Sequence, residues 1–228
     1  MEQFERYAIY YAPRAGDFAD RAAGWLGYSA ERGNVAHPEV AGLPLPLGAL
    51  TAAPRKYGFH GTIRPPFALA AGMGVDGLQA AVATLAAGLG AVSFARLRLE
   101  RIGGFLALVP EGDQAALQAL GAGVVAALDR FRAPLTEADM ARRRPERLTA
   151  RQRELLDLWG YPYVMDEFRF HLTLTGDLAQ DVADAVMPVA QGWFGPVLPE
   201  LFRIEDLCLF GEAVDGRFHL LHRYALTG

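Results

Sequence analysis

Two stretches of this chain, Tyr57-Gly58-Phe59-His60-Gly61-Thr62-Ile63 and Phe168-Arg169-Phe170-His171-Leu172-Thr173-Leu174, carry one pattern: Phe-His-x-Thr followed by an aliphatic residue. They lie about 111 residues apart, and each alternates as a β-strand does. With eight Thr among 228 residues, two of five His having Thr two places on is about a 1% coincidence. The repetition therefore constrains the fold more than any other feature.

The elements downstream of each stretch also repeat. After the first come a helix over about 75–89, strands over 92–102 and 105–109 around Gly103-Gly104, and an amphipathic helix over 114–131. After the second come a helix over about 178–189, a strand over 201–210, a turn at Asp215-Gly216 and a strand over 217–226. Ahead of both lie a strand at 7–11 and a helix from Asp17 to Leu26, stopped by Gly27. Residues 28–56, punctuated by Pro38, Pro44, Pro46 and Pro54, read as a long ordered loop. Residues 133–160 read as a charged helical insertion, with Thr149-Ala150-Arg151-Gln152 as a capping box.

This period is too long for a solenoid, and no Gly/Ser-rich linker divides the halves. The expectation is one bilobal α+β domain over 1–228, with lobe repeats at roughly 57–131 and 168–228. Two pseudo-twofold-related lobes would carry mainly antiparallel sheets around a central cleft, with helices outside.

The net charge of −4 and pI near 5.7 argue against a protein that coats long nucleic acid, but leave room for a small phosphorylated ligand. Of the 22 basic residues only Lys56 is Lys. The single Cys208 excludes internal disulfides and Cys-rich zinc sites. No apolar run reaches membrane-spanning length, and the start carries acids where a leader would be basic, so a cytoplasmic protein is expected.

Strand periodicity gives the repeated pattern a chemical meaning. Residues two apart share a face, so His60 projects with Thr62 and His171 with Thr173, while Phe59, Gly61, Ile63, Phe170, Leu172 and Leu174 turn toward the core. A twofold relation between lobes would bring the two faces together across a cleft. Two imidazoles can then divide acid and base roles, and two hydroxyls can hold non-bridging phosphate oxygens. Phosphodiester hydrolysis without a metal or other cofactor fits that set. A non-catalytic nucleotide or RNA-end binding module is the alternative, and two proton-transfer groups favour the enzyme.

The paired His-x-Thr strands resemble the two-histidine (2H) phosphoesterase superfamily, which includes cyclic phosphodiesterases and RNA-ligase-like members. More narrowly, Tyr57 to Thr62 with Pro66-Phe67, and Trp159-Gly160-Tyr161-Pro162-Tyr163-Val164 leading into 168–174, resemble the branch associated with bacterial phosphonate-utilisation operons. The resemblance implies His60, Thr62, His171 and Thr173 as the catalytic set. It also implies a small cyclic phosphate as substrate, a ribose 1,2-cyclic phosphate bearing a 5-phosphate or a 2′,3′-cyclic nucleotide, with an RNA-ligase-like 2H protein as a further alternative.

Arg169, by its parity with His171, and Lys56 and Arg64, by their parity with His60, are candidate phosphate ligands. Residues 142–153 hold six Arg against one Glu, which suits a basic lid or a solvated helix face. His219 and His222 fall on opposite faces of one strand, His37 sits in the long loop, and Asp166-Glu167 complete no metal-ligand set.

Overall fold

The computed structural model describes residues 4–228. In chain order its elements are β1 (Arg6–Tyr11), α1 (Asp17–Leu26), β2 (Tyr28–Ser29), β3 (Gly33–Asn34), α2 (Leu47–Leu50), α3 (Ala52–Arg55), β4 (Gly61–Phe67), α4 (Val75–Ala87), β5 (Val92–Phe94), β6 (Leu97–Ile102) and β7 (Phe105–Pro110). Next come α5 (Ala115–Leu128), α6 (Glu137–Arg142), α7 (Ala150–Trp159), β8 (Leu172–Thr173), α8 (Gln180–Phe194), β9 (Phe202–Ile204), β10 (Asp206–Glu212) and β11 (Phe218–Ala225). The α+β class and the antiparallel pairing hold.

The two repeats are fused into one seven-stranded sheet, ordered β11-β10-β1-β4-β8-β7-β6. The motif strands β4 and β8 are neighbours at its centre, and Gly61 pairs with Leu172, its own counterpart in the second repeat. Ser93 pairs with Arg203 in the small β5–β9 sheet, counterparts again to within one residue. A residue that pairs with its own equivalent marks a twofold axis, so the pseudo-symmetry read from the sequence runs through both pairs. Each hairpin crosses over: β6–β7 lies beside β8, and β10–β11 reaches β4 through β1.

All the long helices except α7 pack on one face of this sheet. Trp25, Leu26, Leu78, Val82, Leu117, Val124, Val186 and Phe194 meet Ile9, Ile63, Leu108, Leu172 and Leu209 in the main core. Burying each such side chain contributes about 1.5–3 kcal/mol. The Trp25 indole donates to the Leu174 carbonyl at 2.9 Å, tying α1 to the second motif strand. The other face carries Ala8, Tyr10, Cys208, Phe210 and Phe218. That face holds the cleft.

Several local expectations change: the second motif strand pairs only over Leu172–Thr173, and the strand read at 201–210 divides into β9 and β10. The strand read at 57–63 begins at Gly61 and runs through Pro65-Pro66 to Phe67. Its pairing with β1 is broken by register shifts on either side of Ile9, and at such bulges a missing N–H costs no ladder bond. The strand read at 92–102 splits because β5 leaves the main sheet to pair with β9. The long loop 28–56 contains the β2–β3 hairpin and two short helices. The capping box at Thr149 and Gln152 forms as read, and Thr136 with Asp139 makes a second on α6. No helix among the described residues is long and apolar enough to cross a membrane.

Candidate active site

One residue either side of the Gly61–Leu172 pair, antiparallel register sets His60 opposite Thr173 and Thr62 opposite His171. Directly opposed residues have Cβ atoms about 4.5–5.5 Å apart, so the four side chains form an alternating His/Thr square on one face. All four line a single cleft of about 380 Å³. The two motif faces therefore meet side by side within one sheet. The intervening residues turn inward as expected: Phe59, Ile63, Phe170, Leu172 and Leu174 are all buried.

Each imidazole is oriented by its own strand. His60 Nδ1 lies 2.9 Å from the Gly58 carbonyl, and His171 Nδ1 lies 2.8 Å from the Arg169 carbonyl. A carbonyl only accepts, so each Nδ1 carries the hydrogen and each Nε2 is left for the cleft. The backbone partner is two residues upstream in both cases, so the repeat reproduces the tautomer as well as the position.

The surroundings of the two rings differ. His60 packs against Tyr10 at 4.1 Å and Tyr57 at 5.4 Å between centroids, whereas His171 meets Phe105 at 5.4 Å. Burial pushes the His60 imidazole down to about 4, against the opposing pull of the Gly58 carbonyl, and the nearby His171 charge adds to the lowering. Burial also lowers His171, opposed by the Arg169 carbonyl. Both rings favour the neutral form when no anion is bound.

Gly61 has a steric reason. A Cβ there would come within 2.3 Å of the Phe170 ring and 3.1 Å of Leu172. The glycine lets the ring of one motif strand lie against the backbone of the other.

Three sequence candidates are not brought into this cleft. Arg64 is 2% exposed, its guanidinium over the Phe67 ring at 4.5 Å and bonded to the Val125 carbonyl on α5. The cause is the bulge: Tyr10 pairs with Thr62 but Ile9 with Arg64, so one extra residue in β4 reverses the parity. Burial pushes Arg64 down to about 10, with Asp129 opposing and Arg132 adding to the effect. Arg169 is exposed and folds back on its own chain, donating to the Phe168 carbonyl at 3.0 Å after a tight turn over Met165–Glu167. Lys56 is exposed beyond α3, its ammonium 4.8 Å from the Tyr57 ring centre.

Other residues complete the walls. Arg6, Tyr10, Phe105, Arg143, Tyr161, Thr175 and Asp177 line the cleft beside the square. Thr175 shares parity with Thr173, a signal present in the sequence. Tyr10 enters through its pairing with Thr62, which no local pattern reveals. Arg143 comes from the arginine-rich insertion and rests on the Tyr161 ring at 4.7 Å. Asp166 is engaged by Arg151, and His37, His219 and His222 lie outside the cleft. Among the described residues no group of three or more His, Cys, Asp or Glu is placed to share a metal ion.

The family model described as "Protein of unknown function (DUF1045)" matches residues 62–219. Two relatives named "Ribose 1,5-bisphosphate phosphokinase PhnN" are similar. The one from Janthinobacterium sp. (strain Marseille) is 36% identical over 191 residues, covering 82% of this chain and 42% of that protein. The one from Laribacter hongkongensis (strain HLHK9) is 34% identical over 215 residues, covering 92% and 49%. The chain spans less than half the length of these relatives. Among solved structures, the E. coli LigT complex with 3′-AMP is similar in fold at a TM-score of 0.47 and 13% identity, covering 99% of this chain and 100% of that one. TT0787 of Thermus thermophilus is similar at 0.47 and 16%, covering 98% of each. The family match takes in the Thr62, His171 and Thr173 positions, and the chain belongs to the DUF1045 family.

Proposed function

We propose that this protein is a metal-independent phosphodiesterase that opens a small cyclic phosphate by two-histidine acid–base catalysis. The observation that carries the proposal is the repeated geometry: two imidazoles, each held through Nδ1 by its own backbone, alternate with two threonines on one cleft face. His60 Nε2 takes a proton from water as its oxygen attacks phosphorus. The bond from phosphorus to the ring oxygen breaks, and His171 Nε2–H delivers a proton to that oxygen, leaving a phosphate monoester and a free hydroxyl. Thr62 and Thr173 donate to the non-bridging oxygens as charge builds. His60 is the base because its aromatic surroundings hold it neutral more strongly, while His171 gives the proton.

The substrate class is a phosphorylated ribose. Opening a ribose 1,2-cyclic phosphate at O2, with a phosphate at C5, leaves ribose 1,5-bisphosphate, the compound in the names of two relatives. A 2′,3′-cyclic nucleotide is the other substrate to compare. Phosphorus NMR of both, with EDTA-treated protein, tests the reading: a monoester product is expected, and turnover that requires added metal overturns it.

A further inference from the structure

Beside the cleft lies a second pocket of about 50 Å³. It shares Arg6, Pro65, Pro66 and Arg143 with the cleft, and adds Arg64 and Arg132. Four arginines thus line one small space, with Arg64 also donating to the Val125 carbonyl and Arg132 to the Leu158 carbonyl. Carboxylates offset them only in part. Glu212 holds Arg6 through both oxygens. Asp129 is shared, 2.8 Å from Arg132 and 3.6 Å from Arg64. Asp139 lines the pocket but is engaged by Arg142 and Thr136. Arg143 has no carboxylate partner among the described residues.

Arg64 supplies the second sign. It is almost fully buried, and its Nε finds no hydrogen-bond partner. A buried donor left without an acceptor costs about 1–3 kcal/mol, and more when charged. The space is several times the roughly 10–15 Å³ that one water needs, which is the scale of a tetrahedral oxyanion. Guanidiniums match such an ion in geometry because their N–H groups form planar forks.

We infer that this pocket is a subsite for a phosphate monoester on the same substrate whose phosphodiester lies between His60 and His171. As a substrate subsite it rests on the proposed cyclic phosphodiesterase reading. The substrate class is then a small sugar with a cyclic phosphate at one end and a terminal monoester at the other. Three of the four arginines fall outside the two repeats. The repeated strands supply the chemistry, and β1 with the insertion and its approach supplies the selection. The arginine-rich segment acts through Arg143, its one residue in both pockets.

The test uses two ribose cyclic phosphates that differ only in a 5-phosphate, with wild-type protein and Arg143→Gln. Wild type should prefer the bisphosphorylated compound in kcat/KM by roughly 10–100-fold, as charge-assisted hydrogen bonds allow, and Arg143→Gln should collapse that ratio, chiefly through KM. An equal wild-type preference, or a ratio unchanged in Arg143→Gln, overturns the subsite. Calorimetry with ribose 5-phosphate, which has no phosphodiester, separates this from the catalytic reading. Binding retained in His171→Ala and weakened in Arg143→Gln supports the subsite even if no cyclic phosphate is turned over. Binding lost in His171→Ala and kept in Arg143→Gln overturns it. Inorganic phosphate bound with the same Arg143 dependence, without any preference for the sugar monoester, marks a free-phosphate site and overturns the substrate role.

Discussion

Gly61 pairs with Leu172 across the two central strands, and these are equivalent positions of the two repeats. That single register places each motif histidine opposite the other motif's threonine. The same close approach leaves no room for a side chain at Gly61, where the Phe170 ring would stand 2.3 Å from a Cβ. Gly61→Ala should therefore destabilise the fold by about 1–3 kcal/mol. Combining it with Phe170→Leu should recover part of that loss, since the neighbours couple. Urea unfolding of the two single variants and the pair checks this, and simple additivity would show that the ring is not the obstacle.

His60 also makes stability depend on pH. Its folded pKa lies near 4, below the unfolded value of about 6.5. The unfolded chain then binds the proton first, so stability is complete above pH 6.5 and declines as pH falls toward 4. With the partial exposure of the ring discounted, the loss at pH 4.5 is on the order of 2 kcal/mol. His60→Gln should remove that part of the acid sensitivity. Denaturation curves at pH 7 and pH 4.5 for both proteins measure it.

The same lowering shapes the rate profile. In the proposed mechanism the free protein reacts with His60 neutral and His171 charged, and burial lowers both below the ordinary histidine value. The kcat/KM bell should therefore lie on the acid side of neutrality, with its acid limb near pH 4. A bound phosphate favours the charged imidazoles, so the kcat profile should sit at higher pH. A kcat/KM optimum well above pH 7 would contradict the burial of the pair.

Acid and base separate by leaving group. A p-nitrophenyl phosphodiester needs little protonation of its leaving oxygen. His171→Ala should keep far more of its activity on that compound than His60→Ala does, whereas a ribose cyclic phosphate should need both. Equal losses on the activated ester would reject the assignment. Thr62→Val and Thr173→Val should each lower kcat by about 10²–10³-fold with the fold intact.

The parts of the site that were legible in the sequence are those that depend on local periodicity. His60, Thr62, His171 and Thr173 share a face because extended chain repeats every two residues. Arg64 breaks the same rule because a bulge opposite Ile9 adds one residue, a property of the pairing with β1 and not of the strand alone. Arg169 sits just beyond a turn that redirects it. Arg6 and Tyr10 come from β1, which lies between the first motif strand β4 and the β10–β11 hairpin of the second repeat, and only the sheet order shows it. Arg143 was visible as one of six arginines, but nothing local distinguishes it from its neighbours.

The central claim is that His60 and His171 together open a cyclic phosphate, and phosphorus NMR of the reaction tests it most directly. Wild-type protein should convert the cyclic signal of a ribose 1,2-cyclic phosphate to a monoester. His60→Ala and His171→Ala, folded by circular dichroism, should each be slower by at least about 10²-fold. Wild-type turnover in either folded variant would contradict the account.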